Sequence, residues 1–502
     1  MAVTVGETIS TETMSPRISS GVSGLDDILG GGLTSERLYL VEGTPGTGKT
    51  TLALQFLREG QRVGESGLYV TLSETAEELR AVASSHGWDI SGIGLYELVN
   101  EDGLDPESEQ SILHPSEVEL GETVQNIISR VKELKPKRVV FDSLSELRLL
   151  AQSPLRYRRQ ILALKHFFSI CKCTVLLLDD RTSEPGDLHL HSIAHGVVTL
   201  ELRAHDFGPE RRRLQVVKMR GLKFRGGYHD FKLETGGLKV YPRLVAAEHH
   251  RAFTGQLVST GIAELDQLVG GGLVPGSNML LVGPSGVGKT TTAIRCMLAT
   301  LERGERAAYF LFDEGLGTLT TRCAALGMDI KPYLDNGMLS LQQVDPAEMS
   351  PGEFTSRVRQ VVETEGAKFI CIDSLNAYLQ AMPGEKFLLL QMHELLNFLN
   401  QLGVITFMIL GQHGFIGDMR SDIDLSYLSD AILLFRFFET KGQILTAISA
   451  TKSRTQAHDR AVREFKLSGK GLQVGQALKD FEGVMAGVPS YHGETPMLDS
   501  AE

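Results

Sequence analysis

The 502-residue sequence predicts an α/β protein made of two tandem copies of one domain, each a mainly parallel β-sheet flanked by helices. Three observations carry that prediction. The stretch GTPGTGKT, Gly43 to Thr50, returns as GPSGVGKT, Gly283 to Thr290. Its surroundings, ISSGVSGLDDILGGGLTSERLYLVEGTPGTGKTTLA and VSTGIAELDQLVGGGLVPGSNMLLVGPSGVGKTTTA, align without a gap at an offset of 240 residues. A period so much longer than the roughly 20–50 residues of a solenoid unit is a duplicated domain. Finally, short runs of Val, Ile and Leu alternate with helical patterns in both halves, as strands buried on both faces of a parallel sheet require.

In chain order, the strand pattern LYLVE at Leu38–Glu42 leads into the first glycine-rich loop, and KTTLALQFL opens a helix after it. Further strands are expected at Ser66–Leu72, Arg138–Asp142 and Cys173–Asp179. The second copy offers Asn278–Val282, then KTTTAIRCML as a helix, then Ala307–Phe312, Lys368–Asp373 and Val404–Leu410. The offset falls to 231 at Asp142 and Asp373 and settles at 234 for Lys218 and Lys452, which loop insertions explain. Each copy closes on β-rich sequence, VVTLELRAHDFGPERRRLQVVKMRG and AILLFRFFETKGQILTAISATKSR, read as antiparallel strands extending the sheet. The expected organisation is a disordered N-terminus at 1–14, a first domain at 15–246, a second at 247–485 and a polar, aperiodic tail at 486–502.

Composition narrows the function. Fifty Lys and Arg against 62 Asp and Glu give a net charge of −12, which argues against nucleic acid as the default partner. The runs RYRR at Arg156–Arg159 and ERRRL at Glu210–Leu214 are the only basic candidates, and each reads more readily as a solvated helix face or a subunit interface than as a polymer contact. The five cysteines lack paired zinc or disulfide spacing and sit mostly in apolar stretches, as in a reducing cytosol. His189, His191 and His195 have no carboxylate or thiolate at ligand spacing, so no metal centre is expected there. There is no run of 18 apolar residues and no signal-peptide pattern at the start, so a cytoplasmic protein without membrane contact is expected.

Both loops fit G-x-x-x-x-G-K-[ST]. Such glycines let backbone N–H groups turn inward around phosphate oxygens, the lysine neutralises phosphate charge, and the hydroxyl reaches Mg²⁺. The candidate ATP-binding residues are therefore Gly43, Gly46, Thr47, Gly48, Lys49, Thr50 and Thr51, and Gly283, Gly286, Val287, Gly288, Lys289, Thr290 and Thr291. A strand ends in Asp142-Ser143 and in Asp373-Ser374, where a carboxylate beside a phosphate loop suits the metal shell, as a Walker B aspartate does. Between loop and aspartate, the first copy ends a strand in LSE, with Glu74, and the second in FDE, with Asp313 and Glu314. These three are the candidate catalytic carboxylates, able to polarise an attacking water or hydroxyl. The ordinary alternative is that Glu74 and Asp313 cap the next helix. Thr50, Glu74 and Asp142, with Thr290, Glu314 and Asp373, are the candidate Mg²⁺ residues.

Taken together, the paired loops, SGVSGLDDILGGGL with STGIAELDQLVGGGL, FDSLS with IDSLN, and KMRG with HDRAVREF make the chain resemble the KaiC family from about Ile18 to Tyr491. That family comprises tandem RecA-like ATPases and autokinases of the cyanobacterial circadian clock, with wider bacterial relatives. The resemblance implies a homohexamer of two stacked rings with ATP between neighbouring subunits. It implies that Lys218 and Arg220 in the first ring, and Lys452 and Arg454 in the second, reach the phosphates of the neighbour's nucleotide. Ser85 and His458 enter as further nucleotide contacts on the same ground, with Phe224 at the place matching His458. The first ring is implied to be a slow ATPase and the second a serine/threonine autokinase in a clock or stress-timing system. In DLSYLSD, Ser426 keeps the phosphorylated serine of the family while Tyr427 replaces its threonine, and Ser421 and Ser429 are nearby hydroxyls. A KaiB-like protein is a candidate partner of the first ring. The short sequence after GVPSYHGE argues against a KaiA-type contact through a long charged tail. A RecA-like DNA-dependent ATPase is the alternative, because a fold does not fix a function.

Overall fold

The computed structural model describes residues 16–98, 115–151, 153–180, 189–204, 208–380, 387–412, 426–440, 442–468, 471–486 and 489–492. The chain divides between Arg243 and Leu244 into two compact units, and each contains one nine-stranded sheet. The first holds β1 (Leu38–Gly43), α1 (Lys49–Arg62), β2 (Gly67–Thr71), α2 (Ala76–Ser85), β3 (Ile93–Glu97) and β4 (Arg138–Asp142). It continues with β5 (Thr174–Asp180), β6 (Gly196–Arg203), β7 (Arg211–Met219), β8 (Tyr228–Glu234) and β9 (Gly237–Tyr241). Their order across the sheet is β3-β2-β4-β5-β1-β6-β7-β8-β9. The six strands from β3 to β6 are parallel and the last three are antiparallel.

The second unit repeats the plan with β10 (Asn278–Gly283), α3 (Lys289–Glu302), β11 (Ala307–Leu311), α4 (Leu316–Ala325), β12 (Leu339–Gln343) and β13 (Phe369–Asp373). Then come β14 (Ile405–Gly411), β15 (Ala431–Thr440), β16 (Gln443–Ser453), β17 (Arg463–Ser468) and β18 (Gly471–Ala477). The order β12-β11-β13-β14-β10-β15-β16-β17-β18 matches the first sheet strand for strand, so a whole domain was duplicated. In each sheet the central strand, β1 or β10, lies between two parallel neighbours that come late in the chain. The crevice at their C-terminal ends is where ligands bind in open α/β sheets, and both glycine-rich loops leave the sheet there.

Every strand expected from an apolar run is present to within one or two residues. The edge strands β3 and β12 escaped that reading because IGLYE and LSLQQ are only partly buried and mix polar with apolar residues. Successive residues of β1 enter opposite cores: Tyr39 and Val41 on one face, Leu38 and Leu40 on the other. Met279 with Leu281, and Leu280 with Val282, divide in the same way around β10. The repeated motif before each loop also has a local cause. Asp26 accepts from Ser19 Oγ at 2.7 Å and Ser20 N at 2.9 Å, and Asp266 from Ser259 Oγ at 2.6 Å and Thr260 N at 2.7 Å, closing the turn that precedes the glycine run.

Arg138 fastens the first site from beneath. Its guanidinium is buried at the start of β4, donates to Glu65 Oε2 at 2.6 Å, to Ser19 O at 2.8 Å and to Phe56 O at 2.9 Å, and so ties the strand ending in Asp142 to α1. In the second unit the corresponding residue is the fully buried Phe369, which needs no polar partners. Arg138→Ala leaves buried carbonyls without donors and should destabilise the first unit by about 2–4 kcal/mol. Chemical denaturation followed by hydrogen exchange at α1 checks this, with protection at α3 expected to stay unchanged.

Candidate functional site

The two loops fold onto their own lysines. Lys49 is buried, and its Nζ donates to Gly43 O at 2.9 Å and Thr44 O at 3.1 Å and pairs with Asp180 Oδ1 at 2.8 Å. Lys289, equally buried, donates to Gly283 O at 2.7 Å and Pro284 O at 2.6 Å. Its neighbour across the strand pair is Gly411 where the first unit has Asp180, opposite Gly283 and Gly43 respectively. Burial lowers the pKa of Lys289 to about 8, with Asp373 opposing the shift. Gly48 and Gly288 take φ values of 98° and 102°. A Cβ there would meet Leu233 at 3.0 Å or Phe465 at 2.7 Å, so glycine is required at the start of α1 and α3. Gly46 and Gly286 stand at exposed bends, Thr47 and Val287 are buried beneath them, and Thr51 and Thr291 are buried in the first helical turn.

The two Walker-type aspartates occupy matching places. Tyr69 Oη donates to Asp142 Oδ2 at 2.5 Å, and the Thr50 hydroxyl lies close enough to that carboxylate to oppose the rise in its pKa. Asp373 Oδ2 accepts from Tyr309 Oη and from Thr290 Oγ1, each at 2.8 Å. Burial is the main cause raising the pKa of both aspartates. Neither makes an ion pair among the described residues. A buried carboxylate beside a threonine hydroxyl, with a lysine close by, fits a nucleotide's hydrated Mg²⁺. Thr50 with Asp142, and Thr290 with Asp373, are thus the pairs able to hold that ion.

The candidate catalytic carboxylates are not helix caps. The N-cap of α2 is Thr75, which forms a capping box with Glu78, and that of α4 is Gly315. Glu74 Oε2 is buried without a hydrogen-bond partner. Burial raises the pKa of Glu74, with Asp142, Glu78 and Asp180 adding to the effect and Lys49 opposing it, so it shares the electrostatic surroundings of the loop. In the second unit Asp313 accepts a short hydrogen bond from Ser374 Oγ, and Glu314 pairs with Arg322 at 2.8 Å.

The four proposed nucleotide-reaching cations stand elsewhere. Lys218 pairs with Val197, which is level with Leu40 of β1, and Lys452 pairs with Ile432, level with Leu280 of β10. Each is three strand residues, roughly 10 Å, back from Gly43 or Gly283. Lys218 Nζ donates to His191 O and to Ala194 O, the latter at 3.0 Å, and Arg220 Nη2 to Ser192 O at 2.6 Å. Lys452 Nζ donates to Ser426 O at 2.5 Å and Ser429 O at 2.7 Å, and Arg454 Nη2 to Tyr427 O at 3.2 Å. All four therefore belong to the end of the sheet opposite their own loop. Ser426 and Tyr427 lie in a 3₁₀ turn, Ser426–Leu428, at that same end, with Tyr427 49% exposed. Ser429 is fully buried and its hydroxyl donates to Ser426 O at 3.0 Å. Ser421 lies outside the described residues.

Ser85 is at the C-terminal end of α2, about 14 Å along the helix from the turn that bears Glu74, and its exposed hydroxyl donates to Val82 O at 2.8 Å. The structure does not bring it to its own loop. His458 is partly buried beside Asp459, whereas Phe224 packs against the first unit's core. His191 bonds Glu42 Oε2 at 2.9 Å, just before the first loop glycine. Arg213 of the run ERRRL is spent on Glu201 at 2.8 Å and stacks over Tyr228. Asp180 and Arg322 were missed from sequence, although comparing the copies position by position exposes both, against Gly411 and Val82.

Two equivalent loop, lysine and aspartate centres on two RecA-like sheets define a tandem P-loop ATPase. The chain belongs to the KaiC family: the family model described as "ATPase: KaiC" matches residues 18–245 and again 258–479. It is similar to the circadian clock oscillator protein KaiC of Parathermosynechococcus lividus, 27% identical over 489 residues, covering 95% of this chain and 88% of that protein. The protein of the same name from Parasynechococcus marenigrum is 27% identical over 496 residues, covering 96% and 94%. That from Acaryochloris marina is 26% identical over 486 residues, covering 94% and 91%. Membership makes this a KaiC-family ATPase with a duplicated domain that binds ATP, for which Mg²⁺ is the usual companion. Among the described residues no helix is long and apolar enough to cross a membrane.

The buried lysine of the second loop generates a proton linkage. Phosphate charge favours the ammonium form, so nucleotide binding raises the Lys289 pKa from about 8 and takes up a proton near and above that pH. Affinity at the second site should therefore fall as pH rises past about 8, by up to tenfold per pH unit. Calorimetry of ATP-analogue binding in buffers of different ionisation enthalpy should show this uptake, absent at about pH 6 and absent in Lys289→Ala.

Proposed function

We propose that the first unit hydrolyses ATP slowly and that the second is a serine autokinase, both acting within a homohexamer of two stacked rings in a regulatory timing system. One observation carries the reading. In each unit the phosphate loop and the cation pair sit at opposite ends of one sheet, so a complete site needs the loop of one copy and the cations of the next. Lys218 and Arg220 would serve the neighbour's first-ring nucleotide, and Lys452 and Arg454 the second. A cation supplied in trans stabilises charge on the transferring phosphoryl group and makes chemistry depend on assembly.

The residues divide the work accordingly. Backbone N–H groups of the two glycine loops, with Lys49 or Lys289, hold the phosphates, and Mg²⁺ when bound neutralises the developing phosphate charge. In the first unit Glu74 orients a water and accepts its proton as the water oxygen bonds to the γ-phosphorus and the bond to the β–γ bridging oxygen breaks, releasing ADP and phosphate. In the second, Ser426 Oγ is the nucleophile. Its proton passes to Asp313 or Glu314 of the neighbouring copy whose loop holds the ATP, the Oγ–P bond forms, the bond to the β–γ bridging oxygen breaks, and ADP leaves. Tyr427 is a poor acceptor, because its phenolic oxygen lies several ångströms beyond the reach of a threonine hydroxyl, and a displacement of about 1 Å can cost on the order of a hundredfold in rate. The timing role, and a small KaiB-like protein as partner of the first ring, rest on the likeness to clock oscillator proteins.

Phosphopeptide mapping after incubation with Mg·ATP should find phosphate on Ser426. Ser426→Ala, or the double carboxamide Asp313→Asn with Glu314→Gln, should remove at least roughly nine-tenths of the label. Phosphate on Tyr427 alone would falsify the assignment.

Assembly supplies a separate check. Sedimentation should show hexamers with saturating Mg·ATP and smaller species without it. Lys218→Ala with Arg220→Ala should raise the protein concentration required by roughly tenfold or more. A monomer with nucleotide bound would remove the trans arrangement.

A further inference from the structure

The duplication permits a comparison of the two active sites residue against residue, and they differ at the carboxylate that would activate water. Glu74 and Glu314 are equivalent at the offset of 240, and so are Val82 and Arg322. In the second unit Arg322 Nη2 donates to Glu314 Oε2 at 2.8 Å, and the side chains are 38% and 23% exposed. Arg322 lies in the second turn of α4 and Glu314 just before its N-cap, so the pair folds the carboxylate back along the helix. In the first unit the same helical position is the partly buried Val82, which packs against the core and has nothing to offer a carboxylate. There Glu74 Oε2 has no partner. The second acid differs too, since Asp313 takes the Ser374 hydroxyl whereas its counterpart is the exposed Ser73.

We propose that Arg322 is a positioning residue that withholds Glu314 from water activation, so that ATP in the second unit survives hydrolysis and remains available for phosphoryl transfer. The inference rests on the reading of Glu74 and Glu314 as catalytic carboxylates. Hydrolysis requires the water proton to pass to a carboxylate lone pair while the water oxygen bonds to phosphorus and the β–γ bridging bond breaks, releasing ADP and phosphate. The Arg322 N–H occupies a Glu314 lone pair and sets the orientation of the group that would take that proton. A serine acceptor is less affected, because Asp313 stands one residue earlier and is held by Ser374 rather than by a cation. Arg322 has no other partner among the described residues, and its Nε is buried without one, so this contact is the role that the structure gives it.

The test uses the full chain carrying Lys49→Ala, so that turnover reports the second unit. Adding Arg322→Val should raise kcat for phosphate release roughly two- to fivefold, the factor by which a partly exposed ion pair holds its carboxylate. KM should not change, because nucleotide contacts are untouched, and the ratio of label on Ser426 to phosphate released should fall by a similar factor. Arg322→Lys, which can restore a cation at Glu314, should return kcat toward the parent. Glu314→Gln on the Arg322→Val background should abolish the gain. Unchanged kcat in Arg322→Val, while Glu314→Gln still lowers the parent's turnover, would overturn the clamp and leave the catalytic reading intact. If Glu314→Gln changes neither background, the catalytic reading itself has failed and the clamp falls with it. Thermal melts of each variant establish that the half-exposed helix face tolerates the change.

Discussion

The parallel register of the central strands is the constraint from which both sites follow. Because β1, β4 and β5 run in one direction with their backbones hydrogen-bonded on both sides, their C-terminal ends arrive together. The first loop glycine, Asp142 and Asp180 are thereby delivered to one crevice without any of them having to seek the others. The same rule in β10, β13 and β14 delivers Gly283, Asp373 and Gly411. Burial on both faces makes that register costly to change, since slipping by one residue would turn every core side chain of the strand to the opposite face. The antiparallel strands obey the opposite rule. Reversing direction at β7 and β16 carries Lys218 and Lys452 three residues back along the central strand from the loop glycine, which is why each unit presents its phosphate loop and its cation pair at different ends.

How far this was legible in sequence depends on what fixes each feature. The glycine loops were readable because positive φ and close packing admit no other residue at Gly48 or Gly288. The buried strands were readable because apolar residues there face two cores. The aspartates were readable because they end such strands. Harder were the contacts set by tertiary neighbours. Asp180 is invisible as a lysine partner until β5 is placed beside β1. Arg322 reads as an ordinary helix-surface cation until the turn before α4 folds back on it. Edge strands β3 and β12 failed for a different reason, because half-exposed strands need no strong alternation to be held by one neighbour. Ser85 carried no local signal at all and rested wholly on resemblance.

The copies have also diverged in how they satisfy buried polarity. At three positions around its loop the first unit is the more polar: Arg138, Glu42 with His191 and Thr199, and Lys49 with Asp180 form bonded networks. At the matching positions the second has Phe369, Val282 and Gly411, and among the described residues its loop lysine donates to backbone carbonyls alone. Bonded networks of this kind fix side-chain positions, whereas apolar contacts of similar volume leave more freedom. Around its loop the first unit thus fixes these side chains by hydrogen bonds and ion pairs where the second does so by packing.

One detail of the opposite sheet end bears on how such a protein can change over generations. Lys218, Arg220, Lys452 and Arg454 all donate to main-chain carbonyls of the turns beside them, and Arg454 also pairs with the Asp430 carboxylate at 3.8 Å. A carbonyl acceptor is present whatever residue carries it. Substitutions in the turn can therefore add, delete or enlarge hydroxyl groups, as Tyr427 illustrates, without loosening the cations. The chemistry offered to a neighbouring copy and the sites available for modification are written in the same few residues, yet they are free to evolve separately.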